Sequence, residues 1–206
     1  MISTDKAIVK NCAVVILAAG ASERLGEPKQ LLVYKGSSLL KRAVAEAVKS
    51  NAEKVIVVLG AKADIMRKEL NENEVHIVIN SEWEEGMASS IRSGINTLLE
   101  ISASAEAAIL MPCDQPYVSA SLLNELISKQ EETGKRIIAC DYGEALGPPS
   151  LFHRDLFSEL LMLEGDAGAK KIVQNHGDDV ATVLFTKGSV DIDTAEDYQR
   201  LNSPSP

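Results

Sequence analysis

Small residues and positive charge concentrate in one stretch of an otherwise acidic chain: Leu17, Ala18, Ala19 and Gly20, followed by Arg24, Gly26 and Lys29. Ala18, Ala19 and Gly20 leave room for a base or phosphate to approach the backbone, and Gly20 and Gly26 allow conformations that a β-carbon hinders. Arg24 and Lys29 supply cations for an anionic ligand. The spacing is neither G-x-x-x-x-G-K-[ST] nor G-x-G-x-x-G, which argues against a P-loop kinase and a dinucleotide enzyme. A second group is Asp114, in the run Pro112-Cys113-Asp114-Gln115-Pro116 after an apolar stretch. Its carboxylate suits Mg²⁺, which takes oxygen ligands and is commonly held by one or two carboxylates plus substrate phosphates. A third is the acidic segment from Asp191, in which Asp193 precedes Thr194 and could reach such an ion. Taken singly, each has a plainer reading: turn glycines with solvated charges, a turn-forming Asp, and a capping box from Thr194 to Asp197.

The elements that must position these groups follow from hydrophobic period. Residues 13–17 read as a strand and 38–50 as an amphipathic helix, with Leu39, Leu40, Ala43, Val44, Ala47 and Val48 in one stripe. Strands at 54–59, 75–79 and 107–111 alternate with helices at 62–70, 87–99 and 119–132, the last opened by Ser119. Near-continuous Val and Ile runs separated by helices indicate an α/β fold: a mostly parallel sheet with helices on both faces. In such sheets ligands bind at the carboxyl ends of strands, where the Gly20 loop and Asp114 both fall. After a strand at 136–140 the rhythm loosens into a Gly- and Pro-containing stretch, 143–150. Helical pieces at 155–163 and 167–175, late strands at 181–185 and near Val190, and a closing helix from Thr194 complete the chain. We expect one domain, 1–201, with a frayed tail at 202–206.

The ordered motifs resemble a molybdenum cofactor nucleotidyltransferase of the MobA-like NTP transferase family, and most closely its cytidylyltransferase branch. LAAGASERLGEPKQLL from Leu17 is similar to the family's opening signature; NSEWEEGMASSIRSG from Asn80, MPCDQP from Met111, GDAGAKK from Gly165 and DIDTAEDY from Asp191 follow in order. The resemblance covers almost the whole chain and implies a Rossmann-like fold of the nucleotide-diphospho-sugar transferase type. It implies a nucleotide site at Leu17, Ala18, Ala19 and Gly20, with Asn80, Ser89 and Ser90 as further contacts. Arg24 and Lys29 would bind the triphosphate and act in catalysis with Asp114, while Asp114 and Asp193 would hold Mg²⁺. Gly165, Asp166, Gly168 and Lys170 match the stretch associated with the acceptor, a phosphorylated pterin; Lys170 stands where relatives often have Arg. Ala19 favours CTP over GTP, since the guanylyl branch tends to carry Gly there. A molybdoenzyme receiving the product is the implied protein partner.

The totals bound the alternatives. With 206 residues and 45% hydrophobic content the chain can bury one sizeable core. A formal charge of −9 offers no general attraction to nucleic acid or an anionic membrane. Cys12, Cys113 and Cys140 are odd in number and widely spaced, so neither structural zinc nor a disulfide framework is expected. His76, His153 and His176 read as ordinary residues of a strand, a helix start and a helix end. A polar start and the lack of a ~20-residue apolar run point to the cytoplasm. Two other functions fit parts of the pattern: a sugar-1-phosphate nucleotidyltransferase, and a non-catalytic protein that binds and delivers the molybdenum cofactor.

Overall fold

In the computed structural model, which describes residues 10–22, 25–192 and 194–202, the chain opens with β1 (Cys12–Ala18), a small hairpin β2 (Val33–Tyr34) and β3 (Ser37–Ser38), then α1 (Leu39–Lys49) and β4 (Lys54–Leu59). There follow α2 (Ala63–Arg67), β5 (His76–Ile79), α3 (Met87–Ile101), β6 (Ala107–Pro112), α4 (Ala120–Thr133) and β7 (Ile137–Asp141). The last part holds β8 (Leu146–His153), α5 (Phe157–Leu161), α6 (Lys170–Asn175), β9 (Val180–Leu184) and α7 (Ala195–Asn202). Seven strands form one sheet in the order β5-β4-β1-β6-β8-β7-β9. All run parallel except β8, which is antiparallel to both β6 and β7. The expected mostly parallel α/β sheet is therefore present.

The unbroken apolar strands follow from a sheet covered on both faces. In β1, Val14 and Ile16 pack into one cluster with Leu40 and Val44 of α1 and Leu123 and Leu126 of α4. Ala13 and Val15 enter the opposite cluster with Ile91 and Ile95 of α3, Leu160 of α5 and Ile172 of α6. Side chains alternate across a strand, so a central strand with two packed helical layers has no position for a polar residue. The helices start where local chemistry stops the strand geometry. Ser38 and Ser119 cap α1 and α4 by accepting from the N–H of Lys41 and Leu122. Gly134 closes α4 in the left-handed region, its N–H bonded to Gln130 O at 2.7 Å. Among the described residues no helix is long and apolar enough to cross a membrane.

Three expectations change. The stretch 143–150 is not a loop throughout, because β8 begins at Leu146 and lies between β6 and β7. Prolines are tolerated there because the register with β7 jumps from Ala139↔Ser150 to Cys140↔Gly147, so Pro148 and Pro149 fall in the irregularity and owe the ladder no N–H. No strand forms near Val190: its N–H is taken by Lys187 O in a 3₁₀ turn, Thr186–Ser189. The late helical pieces are shorter than expected, Phe157–Leu161 and Lys170–Asn175. The β2–β3 hairpin was unforeseen, although its two central residues, Lys35 and Gly36, both have positive φ, the mark of a tight hairpin turn. It packs with Ile192 and Tyr198.

Candidate active site

The loop leaving β1 and the loop leaving β6 lie side by side at the carboxyl end of the sheet, since β1 and β6 are paired neighbours from Cys12↔Ala107 to Leu17↔Pro112. Between them opens a cleft of about 760 Å³. The β1 loop is fixed from within. Gln30, fully buried, donates its Nε2 to Ala18 O at 3.1 Å and Gly20 O at 2.8 Å, and the Ala61 N–H donates to Ala19 O at 3.0 Å. Three successive carbonyls are thus committed to donors of the chain itself, so an anion in the cleft does not meet them unpaired. Ser22 Oγ accepts from the Lys29 N–H at 3.0 Å, which folds the loop back and brings the lysine side chain to the cleft. Gly26 uses its freedom at φ +79°, whereas Gly20 has normal φ and open space over it.

Across the cleft, Lys29 Nζ contacts Asp114 Oδ2, joining the two loops. Both are largely buried, with side chains 21% and 11% exposed, so the contact is less screened than a surface pair. Leu17, Ala18, Ala19, Gly20, Ser90 and Asp166 also line the cleft. Arg24 and Asp193 lie outside the described residues. Asn80 and Ser89 sit behind the wall: Asn80 Nδ2 donates to Ser89 Oγ at 2.8 Å and Ser90 Oγ at 3.2 Å, and Ser89 Oγ donates to Gly86 O at 2.9 Å. Their geometry holds the start of α3. Gly86 there packs directly on the turn at Gly165 and Asp166, where any β-carbon would lie 2.6 Å from Gly165 O, and the Ala88 N–H donates to that oxygen. Trp83, Glu84 and Met87 complete this side of the cleft. The spacing of Gln30 behind a small-residue loop was a signal that sequence reading passed over; nothing in the sequence pointed to Glu84.

A second cavity of about 330 Å³ adjoins the first, sharing Leu17, Met87 and Pro112 with it. Its walls are apolar, from Ile91, Leu110, Phe152 and Val173, with Gly168 and Lys170 contributing from the Gly165 segment. The acceptor segment is therefore divided: Asp166 faces the polar cleft, while Gly168 and Lys170 face the apolar pocket. Tyr142 forms part of the pocket wall. Burial chiefly pushes its hydroxyl up to about 12, so it stays protonated at neutral pH. The three cysteine thiols are buried and unpaired, and burial raises each to about 12, which removes thiolate chemistry. His76 lies in β5, His153 caps the turn before α5, and His176 at the end of α6 bonds Glu159 at 2.9 Å.

The donor set bears on a metal. Among the described residues, no group of three or more His, Cys, Asp or Glu could enclose an ion. Lys29 is the one cation lining the cleft among those residues, against the carboxylates of Glu84, Asp114 and Asp166. Carboxylates at a roomy, acidic cleft suit a hard cation that keeps water and takes further oxygens from a phosphate ligand, which is the habit of Mg²⁺. A polyphosphate entering this cleft gains from such an ion, because one lysine does not offset its charge.

The sequence model for the MobA-like NTP transferase domain matches residues 14–180. The nicotine blue oxidoreductase of Paenarthrobacter nicotinovorans is 30% identical over 91% of this chain and 94% of its own length. A probable molybdenum cofactor guanylyltransferase of Bacillus cytotoxicus is 23% identical over 94% and 97%. The crystal structure of Rv0371c from Mycobacterium tuberculosis in complex with manganese superposes with a TM-score of 0.76 at 28% identity, over 93% of this chain and 97% of that one.

Proposed function

The chain belongs to the MobA-like NTP transferase family, and on that premise we propose that it transfers CMP from CTP to the phosphate of a molybdopterin-type cofactor, releasing pyrophosphate. The observation that carries this reading is the meeting of Lys29 and Asp114 across the cleft between the β1 and β6 loops. An oxygen of the acceptor phosphate attacks the α-phosphorus of CTP. The bond from that phosphorus to the β-phosphate breaks, and pyrophosphate leaves with the electron pair. The acceptor phosphate is already ionised at neutral pH, so no general base is required.

The residues then have separable tasks. Lys29, with Arg24, binds the triphosphate and stabilises the charge that develops on the leaving group. Asp114, with Asp193, would hold Mg²⁺, which supplies charge neutralisation on the phosphate oxygens. Leu17, Ala18, Ala19 and Gly20 receive the base and sugar, and Ser90 contacts the nucleotide with Asn80 and Ser89 fixing it from behind. Ala19 supports CTP as the donor. The apolar pocket with Gly168 and Lys170 receives the acceptor, its ring against the apolar wall and its phosphate toward the cleft, with Asp166 and Gly165 at the junction. We place the whole activity in one unit, 1–201, working in the cytoplasm and passing its product to a molybdoenzyme.

The test is pyrophosphate release with each of the four NTPs, with and without a phosphorylated pterin or a sugar 1-phosphate. Turnover with CTP and the pterin supports the proposal. Preference for GTP overturns the donor assignment, turnover with the sugar phosphate overturns the acceptor, and pterin binding without pyrophosphate release favours a delivery protein. Trp83 is the chain's one tryptophan and lines the cleft, so its fluorescence reports nucleotide binding independently of turnover.

A further inference from the structure

Gln30 lies in the short 3₁₀ turn Lys29–Leu31 and is 1% exposed. Its Nε2 donates to Ala18 O and Gly20 O, and its Oε1 accepts from Ser22 Oγ at 3.4 Å. Ser22 Oγ in turn accepts from the Lys29 N–H. One buried amide thus ties the whole span from Ala18 to Ser22 to the turn that carries Lys29. The network also holds a conformation that the loop would not favour alone, because Ser22 sits at φ +60°, in the left-handed region that residues other than glycine seldom enter.

Holding the carbonyls fixes the opposite side of the same peptides. A trans peptide is planar with its C=O and N–H opposed. The Ala61 N–H holds Ala19 O, which turns the Gly20 N–H away from β4. Gln30 holds Gly20 O, which turns the Ala21 N–H away from the turn at residues 29–31. Neither of these two N–H groups has a hydrogen-bond partner among the described residues, and both residues line the cleft that Lys29 also lines. Successive unpaired N–H groups beside a lysine form a donor set for anionic oxygens. In sequence they stand between the residues proposed for base and sugar and the lysine proposed for the triphosphate, so they fall where the phosphates of a bound nucleotide begin.

We infer that Gln30 is a positioning residue for the phosphates of the nucleotide: by holding the carbonyl side of the β1 loop it presets the Gly20 and Ala21 N–H groups before a ligand arrives. This rests on the reading of the cleft as the nucleotide site, and is independent of the base and of the acceptor. Donors set in advance spare a ligand the cost of ordering the loop. A glutamine that served the fold alone would change the melting temperature and leave the affinity of the folded protein for phosphates as it was.

The experiment is calorimetric titration of the full chain with CTP and, separately, with inorganic tripolyphosphate, at one fixed Mg²⁺ concentration and beside a thermal melt of each variant. Gln30→Met removes both donor bonds at similar length, and Gln30→Glu keeps the shape while its carboxylate faces two carbonyl oxygens. Both are expected to weaken CTP and tripolyphosphate about tenfold or more, the scale of one hydrogen bond to a charged group. Gln130 supplies the control: it is fully buried in the last turn of α4, just before the start of β7 and so at the opposite edge of the sheet. Gln130→Met should lower the melting temperature and leave both affinities unchanged. Lys29→Ala is the reference for the site. If it weakens CTP while the folded Gln30 variants bind within about twofold of the native protein, the inference is wrong and the functional reading stands. Weakening of CTP with tripolyphosphate unchanged also overturns it, since Gln30 would then act on base or sugar. If Lys29→Ala binds CTP like the native protein, both fall. Should Gln30→Glu not fold, Gln30→Met decides on the same criterion.

Discussion

The two halves of the sheet contribute to one site by different means. On the β5-β4-β1-β6 side, every strand is parallel and the proposed site residues lie at a strand end or in the segment leaving it: Ala18 to Lys29 from the end of β1, Asn80 to Ser90 after β5, Asp114 after β6. On the β8-β7-β9 side, one strand is reversed, and the pocket is assembled from Tyr142, Phe152 and Lys170, which meet only through long-range packing. The first half delivers charge and the second delivers shape. Chemistry at a strand end is a local property of the chain, while an apolar pocket between a reversed strand and two helices exists only once the sheet has formed.

Substitutions should therefore separate the halves, and the largest effects belong to the charged one. Asp114→Ala and Lys29→Ala are each expected to lower kcat about 10²-fold or more, the scale for loss of a preorganised charge stabiliser. Arg24→Ala should match them. Pyrophosphate release in Mg²⁺ checks this, and near-full turnover by Asp114→Ala would remove the metal assignment. The stability of the same half is sensitive elsewhere. Gly94 in α3 faces β1, where an added β-carbon would collide with Val15 and lie 3.2 Å from Val58. Gly94→Ala should cost about 1–3 kcal/mol by overpacking, read from a urea midpoint. A neutral result would mean that α3 rides more loosely on the sheet than its contacts indicate.

A smaller effect should distinguish the shape-giving half. Lys170 is the cation of the apolar pocket, so Lys170→Ala is expected to raise the KM for the phosphorylated acceptor about tenfold, the size of one lost charge-assisted hydrogen bond. Nucleotide binding, read by Trp83 fluorescence, should stay constant. Loss of both together would merge the two cavities into one functional unit and dissolve the comparison.

The same division governed what the sequence disclosed. The strand at 54–59 and the helix at 119–132 were legible because an unbroken Val and Ile run and a 3.6-residue period are written into adjacent residues, with Ser119 marking the start. The positions of Asp114 and the Gly20 loop followed, since a parallel sheet fixes which edge its strand ends share. Strand β8 was not legible: Pro148 and Pro149 argue against a central strand, and only the register jump opposite Ala139 and Cys140 makes room for them. Gln30 was passed over for a related reason. It is an amide that acts through the backbone carbonyls of Ala18 and Gly20, and no spacing rule encodes such partners.

The smallest expected effect tests whether local signals in the legible half also carry energy. Ser38 Oγ accepts from the Lys41 N–H at 3.2 Å, capping α1, and donates to Glu69 Oε2 at 2.8 Å. The Ser38 hydrogen bond, followed by Lys41 at 3.2 Å, holds the Glu69 carboxyl below its ordinary range. Ser38→Ala should cost about 1 kcal/mol at neutral pH, the usual value of a serine cap. Because the folded-state pKa of Glu69 is depressed, its contribution is present above the unfolded-state value and is lost as pH falls through the folded-state value. The gap between native and variant urea midpoints should therefore narrow in acid, when Glu69 is protonated in both. A gap that stays constant with pH would assign the whole effect to the cap and leave Glu69 as a bystander to the helix start.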